Sequence, residues 1–297
     1  MTDLGGLLTA MVTPFDSDLN IDYGRAAQLA LKLVAEDSDG LVVAGTTGES
    51  PTLTSEEKLR LFQVVREAVG DSAAVVGGTG SNDTAASVEL TQKASDLGVL
   101  DAVMLVGPYY NKPSQEGFYQ HFAACAGATD LPVIVYNVPG RTGKNIEADT
   151  VLRLAHSVGN IQAVKEASND LVQISRICAG MPEGFGVYSG SDEFTLPILS
   201  VGGIGVISVV SHVAGPHVAR MIKAFHAKDT QTAWQTHHQL LDLFDACFLP
   251  SGNPACVKHA LGVCGFDVGG CRLPALPASE KDALVIRQAC EELGIAS

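Results

Sequence analysis

The 297-residue sequence has no His-x-His pair, no His-Glu-x-x-His run and no Gly-x-Ser-x-Gly turn after a strand-like segment. Those absences argue against a histidine-held catalytic metal and against a serine nucleophile on an elbow. His237 and His238 are adjacent, but they fall in a helical stretch far along the chain. Cysteine is present in an odd number, seven, without a paired framework, which fits reduced thiols better than a disulfide scaffold. Cys256, Cys264 and Cys271 are too widely spaced for a zinc knuckle and read as small core residues. Basic residues are scarce: 19 Lys and Arg against 33 Asp and Glu leave a formal charge of −14, which repels nucleic acid and anionic membranes. No apolar run approaches membrane-spanning length, and Met1-Thr2-Asp3-Leu4 carries no basic leader, so the expectation is a soluble cytoplasmic protein.

What is present is a core and a rhythm. With 46% hydrophobic residues the chain can fill one large interior. Apolar, β-rich runs recur at Leu7 to Val12, Leu41 to Ala44, Ala74 to Gly77, Ala102 to Val106, Val133 to Tyr136, Ile161 to Lys165, Phe185 to Ser189 and Val206 to Val210. Helical spacing fills the gaps. Thr54-Ser55-Glu56-Glu57 is a capping-box pattern, and Asp83 and Ser114 can cap the next two helices. Strands apolar on both faces, each followed by a helix, pair in parallel through right-handed crossovers. Eight such units predict an α/β chain folded as a (β/α)8 TIM barrel over 1–226, with an open doubly wound sheet as the competing arrangement. Residues 227–297 read as C-terminal helices packed on the barrel, with breaks near Pro250 to Pro254 and Gly262 to Pro277.

In a barrel of this kind the chemistry gathers at the C-terminal ends of the strands. Lys165 closes the sixth apolar run, where a cation needs either a partner or a purpose. Burial lowers an amine's pKa and frees it as a nucleophile, whereas pairing with Glu166 or another carboxylate would make it structural; the segment alone supports both readings. Gly45-Thr46-Thr47-Gly48-Glu49-Ser50 follows the second run and sets two hydroxyls in a glycine-flanked turn. It lacks the ending of a phosphate loop and the spacing of a dinucleotide fingerprint. Gly77-Gly78-Thr79-Gly80 reads as a tight barrel exit.

The chain has only six tyrosines, and three of them, Tyr109, Tyr110 and Tyr136, stand at the ends of the fourth and fifth runs. A phenol both donates and accepts, so beside a lysine and a threonine it can pass protons along a chain. Arg141 offers a planar fork for a carboxylate. Each of these residues taken singly is better explained as a rim or loop residue; their coincidence at successive strand ends is what points to function. In Tyr188-Ser189-Gly190-Ser191-Asp192 the glycine permits close backbone approach to a ligand.

Taken together, Gly45-Thr46-Thr47-Gly48-Glu49, Pro108-Tyr109-Tyr110-Asn111, Tyr136-Asn137-Val138-Pro139-Gly140-Arg141-Thr142-Gly143, Val164-Lys165-Glu166 and Gly205-Val206-Ile207-Ser208 resemble the dihydrodipicolinate synthase family, in order and spacing, over nearly the whole chain. The barrel, the lysine and the strand-five tyrosine are shared by the wider superfamily of pyruvate-dependent aldolases and lyases. The Thr-Thr pair, Tyr110 and Arg141 point to the synthase rather than to N-acetylneuraminate lyase or a keto-deoxy sugar acid aldolase.

The resemblance implies that Lys165 forms a Schiff base with pyruvate, whose enamine attacks L-aspartate 4-semialdehyde, with no metal or organic cofactor. It further implies that Tyr136 exchanges protons at the imine, Thr46 and Tyr110 extend a relay to solvent, Thr47 and the backbone at Ile207 hold the pyruvate carboxylate, Gly190 lines that pocket, and Arg141 clamps the semialdehyde. Tyr110 is contributed across a dimer interface in this family, which implies a homo-oligomer, usually a tetramer built as a dimer of dimers. Feedback-inhibited members bind L-lysine at that interface through a set that includes histidine and glutamate; the matching positions here are Ser55, Lys58 and Ala86, with Asn82 and Tyr109 retained.

Overall fold

The structure, a computed structural model, describes residues 4–297. Eight parallel strands, β1 (Leu7–Ala10), β2 (Gly40–Val43), β3 (Ala74–Gly78), β4 (Ala102–Val106), β5 (Val133–Asn137), β6 (Ile161–Glu166), β7 (Gly186–Ser189) and β8 (Gly205–Ser208), close into a barrel in chain order. Closure is made by β1 against β8, with Leu7 opposite Val206 and Thr9 opposite Ser208. The (β/α)8 barrel is therefore the architecture, and the open sheet is excluded.

Two predicted strands end two residues early, for a reason that bears on function. β1 stops at Ala10 because the Val12 N–H donates to His212 Nε2, at 3.0 Å, instead of to a neighbouring strand. β8 stops at Ser208 because the N–H groups of Val209 and Val210 both donate to the carboxylate of Asp192. Strands β5 and β6 run one residue further than predicted, to a final pair of Asn137 opposite Glu166.

Side chains alternate between two cores. Leu8, Val42, Val76, Met104, Ile134, Ala163, Tyr188 and Ile207 fill the barrel, while Leu7, Leu41, Val75, Val103, Val133, Val164, Val187 and Val206 face the helices. This period of two decides where Lys165 goes. Ala163 points inward, so Lys165 does too, and Val164 and Glu166 point outward. The reading that pairs Lys165 with Glu166 fails on that geometry. Glu166 is instead held by donors from Asn137 Nδ2 (2.9 Å), Gln173 Nε2 (3.1 Å) and the Ser168 N–H (2.8 Å).

The helices begin where their caps predict. Thr54 and Glu57 exchange both capping-box bonds, at 3.2 and 2.8 Å, ahead of the helix Ser55–Val69. Asp83 caps Thr84–Asp96 and Ser114 caps Gln115–Ala126, each cap contributing about 1 kcal/mol. After Ser211–His226, which packs against β1, come Thr230–Gln239, Leu241–Ala246, Ala255–Val263 and Glu280–Glu292. Segments around these last helices return to the barrel mouth. Phe15 N–H donates to Val268 O at 3.0 Å, and the Arg272 guanidinium forks onto Glu57 at 2.7 and 2.9 Å. No helix among the described residues is long and apolar enough to cross a membrane.

Candidate active site

A cavity of about 420 Å³ opens at the C-terminal ends of β2 to β5. Its walls carry Thr46 and Gly45 after β2, Gly78 and Ser81 around the end of β3, Tyr109 beyond β4, and Tyr136 and Arg141 at and beyond β5. The narrow exit of β3 needs glycine for a steric reason. A Cβ on Gly78 would stand 2.4 Å from the Ala44 carbonyl oxygen, so a side chain there would push the Thr46 loop away. That loop is a tight turn in which Glu49 N–H donates to Thr46 O and Ser50 N–H to Gly45 O.

Lys165 and Tyr136 are register partners across β6 and β5, and both point into the barrel. The lysine nitrogen lies 4.4 Å from the centre of the tyrosine ring. Only 4% of Lys165 is exposed, and among the described residues it has no salt-bridge partner. Loss of hydration lowers its pKa to about 8; Asp192 opposes that shift and Arg141 adds to it. About one amine in ten is then neutral at pH 7, against about 1 in 2,500 for an ordinary lysine. The gain corresponds to roughly 3 kcal/mol in the availability of the nucleophile.

Burial has the opposite effect on Tyr136, whose pKa is pushed up to about 12, with Arg141 and a hydrogen bond with Thr46 opposing. The phenol is therefore protonated at neutral pH and can donate or accept in place. Thr46 lines the same cavity as Tyr136. Tyr110 does not: it is 89% exposed and sits at a φ of 72°.

Of the carboxylate-binding candidates only Arg141 lines the cavity. Thr47 is buried behind its neighbour and accepts a hydrogen bond from Asn253 Nδ2 at 2.9 Å. Arg141 is exposed at the cavity edge, with one Nη2 contact to Asn253 O at 3.4 Å. Ile207 is fully buried in β8. At Gly190 the close approach is made by the chain itself: its N–H donates to Glu166 O at 2.7 Å, and a Cβ there would stand 2.7 Å from that of Ala167. The glycine thus seats the exit of β7 against the residue that follows Lys165.

Sequence reasoning gave no role to Asn253 or Asp192. Asn253 touches Thr47 and Arg141 from more than 100 positions away, a contact that no local pattern announces. Asp192 did have a signal, two residues beyond Gly190, because an acidic residue at a barrel strand's exit is seldom buried without a purpose. No cluster of ligands able to hold a metal ion is found among the described residues.

The comparisons with known proteins agree with this geometry. The model of the "Dihydrodipicolinate synthetase family" matches residues 3–293. The 4-hydroxy-tetrahydrodipicolinate synthase of Moorella thermoacetica is 55% identical over 291 residues, covering 98% of this chain and 99% of its own. Among solved structures, a dihydrodipicolinate synthase from Bacillus anthracis superposes with a TM-score of 0.95 at 47% identity, covering 98% of this chain and 99% of that one. One from Cyanidioschyzon merolae, with lysine bound, gives 0.96 at 45% identity and the same coverage. A family match over almost the entire length, a barrel that superposes end to end and an inward lysine beside a buried tyrosine lead to one assignment: this chain belongs to the dihydrodipicolinate synthetase family of lyases.

Proposed function

We infer that the protein condenses pyruvate with L-aspartate 4-semialdehyde through a Schiff base on Lys165, as its named relatives' activity indicates. The observation that carries the chemistry is an unpaired, buried lysine against a neutral tyrosine. The free amine adds to the pyruvate ketone, water leaves, and the iminium draws electrons from the methyl group. Loss of a methyl proton then gives an enamine whose carbon attacks the aldehyde. Tyr136 is proposed to give and take protons at the nitrogen and the leaving oxygen, with Thr46 beside it in the cavity lining. In this reading Thr47, the Ile207 backbone and Gly190 form the pyruvate carboxylate pocket, and Arg141 receives the second substrate's carboxylate.

Tyr110 has no role within one subunit. Its exposure fits a residue offered to a neighbouring copy, and a homotetramer built from dimers in the cytoplasm is the assembly proposed. Regulation by L-lysine is proposed to be weak, because Lys58 and Ala86 stand where the resemblance places residues that would hold that ligand.

Borohydride reduction in the presence of pyruvate tests the central step. Expected is a covalent adduct on Lys165, forming with an acid limb near pH 8 as the amine loses its proton. Product assay with the semialdehyde and with sugar-derived aldehydes then identifies the acceptor. Absence of an adduct on Lys165 would reject the mechanism.

A further inference from the structure

The cavity that carries Tyr136 and Arg141 has a second wall, which the Schiff-base scheme leaves unused. Ser50, Pro51, Leu53 and Lys58 all line it, and all come from one stretch of chain, the turn Ser50–Thr52 and the start of the helix Ser55–Val69. Lys58 is 8% exposed, and its ammonium has no hydrogen-bond or ion-pair partner among the described residues. A lysine this deeply buried is ordinarily paired, as Lys258 is with Glu49. The carboxylates nearest to Lys58 along its own helix and at the head of the next one are engaged elsewhere or face water. Glu57 is held by the Arg272 guanidinium at 2.7 and 2.9 Å, Glu56 is exposed, and Asp83 accepts from the Ala85 and Ala86 N–H groups at 2.8 and 3.3 Å.

We propose that the Lys58 wall is a binding site for a small organic carboxylate, a second ligand site beside the reacting groups. The whole chain carries a formal charge of −14, yet the cavity lining holds Lys58 and Arg141 and no Asp or Glu. A buried cation that faces open space without a counter-ion is complementary to an anion, and a carboxylate would give it the charge-assisted hydrogen bond that the protein does not. Ser50 and Tyr109 line the same cavity, and their hydroxyls have no hydrogen-bond partner among the described residues, so two further donors stand ready for carboxylate oxygens. Pro51, Leu53 and Val138 make the rest of this lining apolar, which suits a carboxylate on a short carbon chain better than a bare inorganic anion.

Binding through Lys58 leaves a signature in pH. Burial lowers the amine's pKa, and no charged group is among the causes; the other titratable groups on the cavity are Tyr109, Tyr136 and the positive Arg141. A bound anion favours the charged amine and raises its pKa again, so binding takes up a proton, and affinity falls as pH rises through the free amine's pKa. Malonate is a suitable probe, being a dicarboxylate with no ketone to condense. Isothermal titration should show malonate affinity at about pH 7 reduced tenfold or more in Lys58→Gln and kept within about threefold in Lys58→Arg. Because a guanidinium stays charged, the affinity of Lys58→Arg should fall less steeply than that of the wild type between about pH 7 and about pH 9.5.

Arg141→Gln separates the two cations of the cavity and should leave malonate affinity within about threefold. Loss in Arg141→Gln with none in Lys58→Gln would put the anion on the arginine and overturn the proposal. So would a wild-type protein that binds no malonate at about 10 mM, or one that binds inorganic phosphate as tightly as malonate. Lys58→Gln removes an unpaired buried charge, so its melting temperature should hold or rise. Should it fail to fold, the slope of malonate affinity against pH in the wild type and in Lys58→Arg still decides, and equal slopes overturn the proposal. Binding is read here without turnover, so a failure to trap pyruvate at Lys165 would reject the Schiff-base reading and leave this site standing.

Discussion

Lys165 and Lys258 are near-equals in surroundings and opposites in role. Their exposures are 4% and 5%, and each nitrogen sits over an aromatic ring, at 4.4 Å from Tyr136 and 4.3 Å from Phe15. Burial lowers the pKa of both. They differ in what touches the nitrogen. Lys258 meets Glu49 Oε1 at 2.7 Å and donates to Gly270 O at 2.6 Å, tying the C-terminal helices to the Thr46 loop. Lys165 has no such contact, and the carboxylate acting on it, Asp192, is spent on Ser208 and two backbone N–H groups. Pairing, and not burial, separates these two lysines.

Substituting the two lysines should therefore give opposite phenotypes. Lys165→Ala should lower turnover by roughly 10⁴-fold or more and abolish imine trapping, with the melting temperature held, because a covalent route is lost and no ion pair is broken. Lys258→Ala leaves Glu49 buried and unpaired, which should destabilise by roughly 3–5 kcal/mol while the protein that remains folded still traps pyruvate. Thermal melts and adduct mass spectrometry on both variants check this. A Lys258→Ala protein that melts normally but traps nothing would break the comparison.

A smaller effect is expected at the groups around the reactive lysine. Tyr136→Phe and Thr46→Val should each reduce turnover by roughly 10²-fold, the scale of lost acid–base help. Unchanged rates in both would remove the proton path. Arg141→Ala should spare the pyruvate adduct and raise KM for the semialdehyde by about tenfold, if the exposed guanidinium at the cavity edge receives the second substrate's carboxylate as proposed. Equal damage to both half-reactions, read by trapping and by steady-state kinetics, would place the arginine elsewhere.

The parts of this site that could be read from the sequence are those with local causes. The capping box at Thr54 and the alternation that turns Lys165 inward each rest on residues a few positions apart. Strand ends were less legible, because β1 and β8 stop where His212 and Asp192, distant in sequence, capture their N–H groups. The same holds for Asn253, which reaches Thr47 across the chain. Even for Lys165, the segment Val164-Lys165-Glu166 left pairing and reactivity equally open until the register sent Glu166 to Asn137 and Gln173.

Lys58 extends the comparison to a third buried lysine, one that lines the cavity with no hydrogen-bond or ion-pair partner among the described residues. Burial lowers its pKa, and no Asp or Glu stands among the residues lining the same cavity. L-lysine bound here would bring an ammonium with no carboxylate to receive it, beside a fixed like charge. A missing charge-assisted contact and the added repulsion together amount to about 4 kcal/mol, nearly a thousandfold in affinity. Half-inhibition is therefore expected only above about 1 mM L-lysine at pH 7. The sign of its pH dependence follows from the same contact. A second ammonium disfavours charged Lys58, so binding would release a proton, and any residual inhibition should strengthen as pH rises. Titrating L-lysine into the assay at pH 7 and pH 9 decides the matter. Sub-millimolar inhibition at pH 7, or inhibition that weakens at pH 9, would show that Lys58 does not govern what this wall of the cavity accepts.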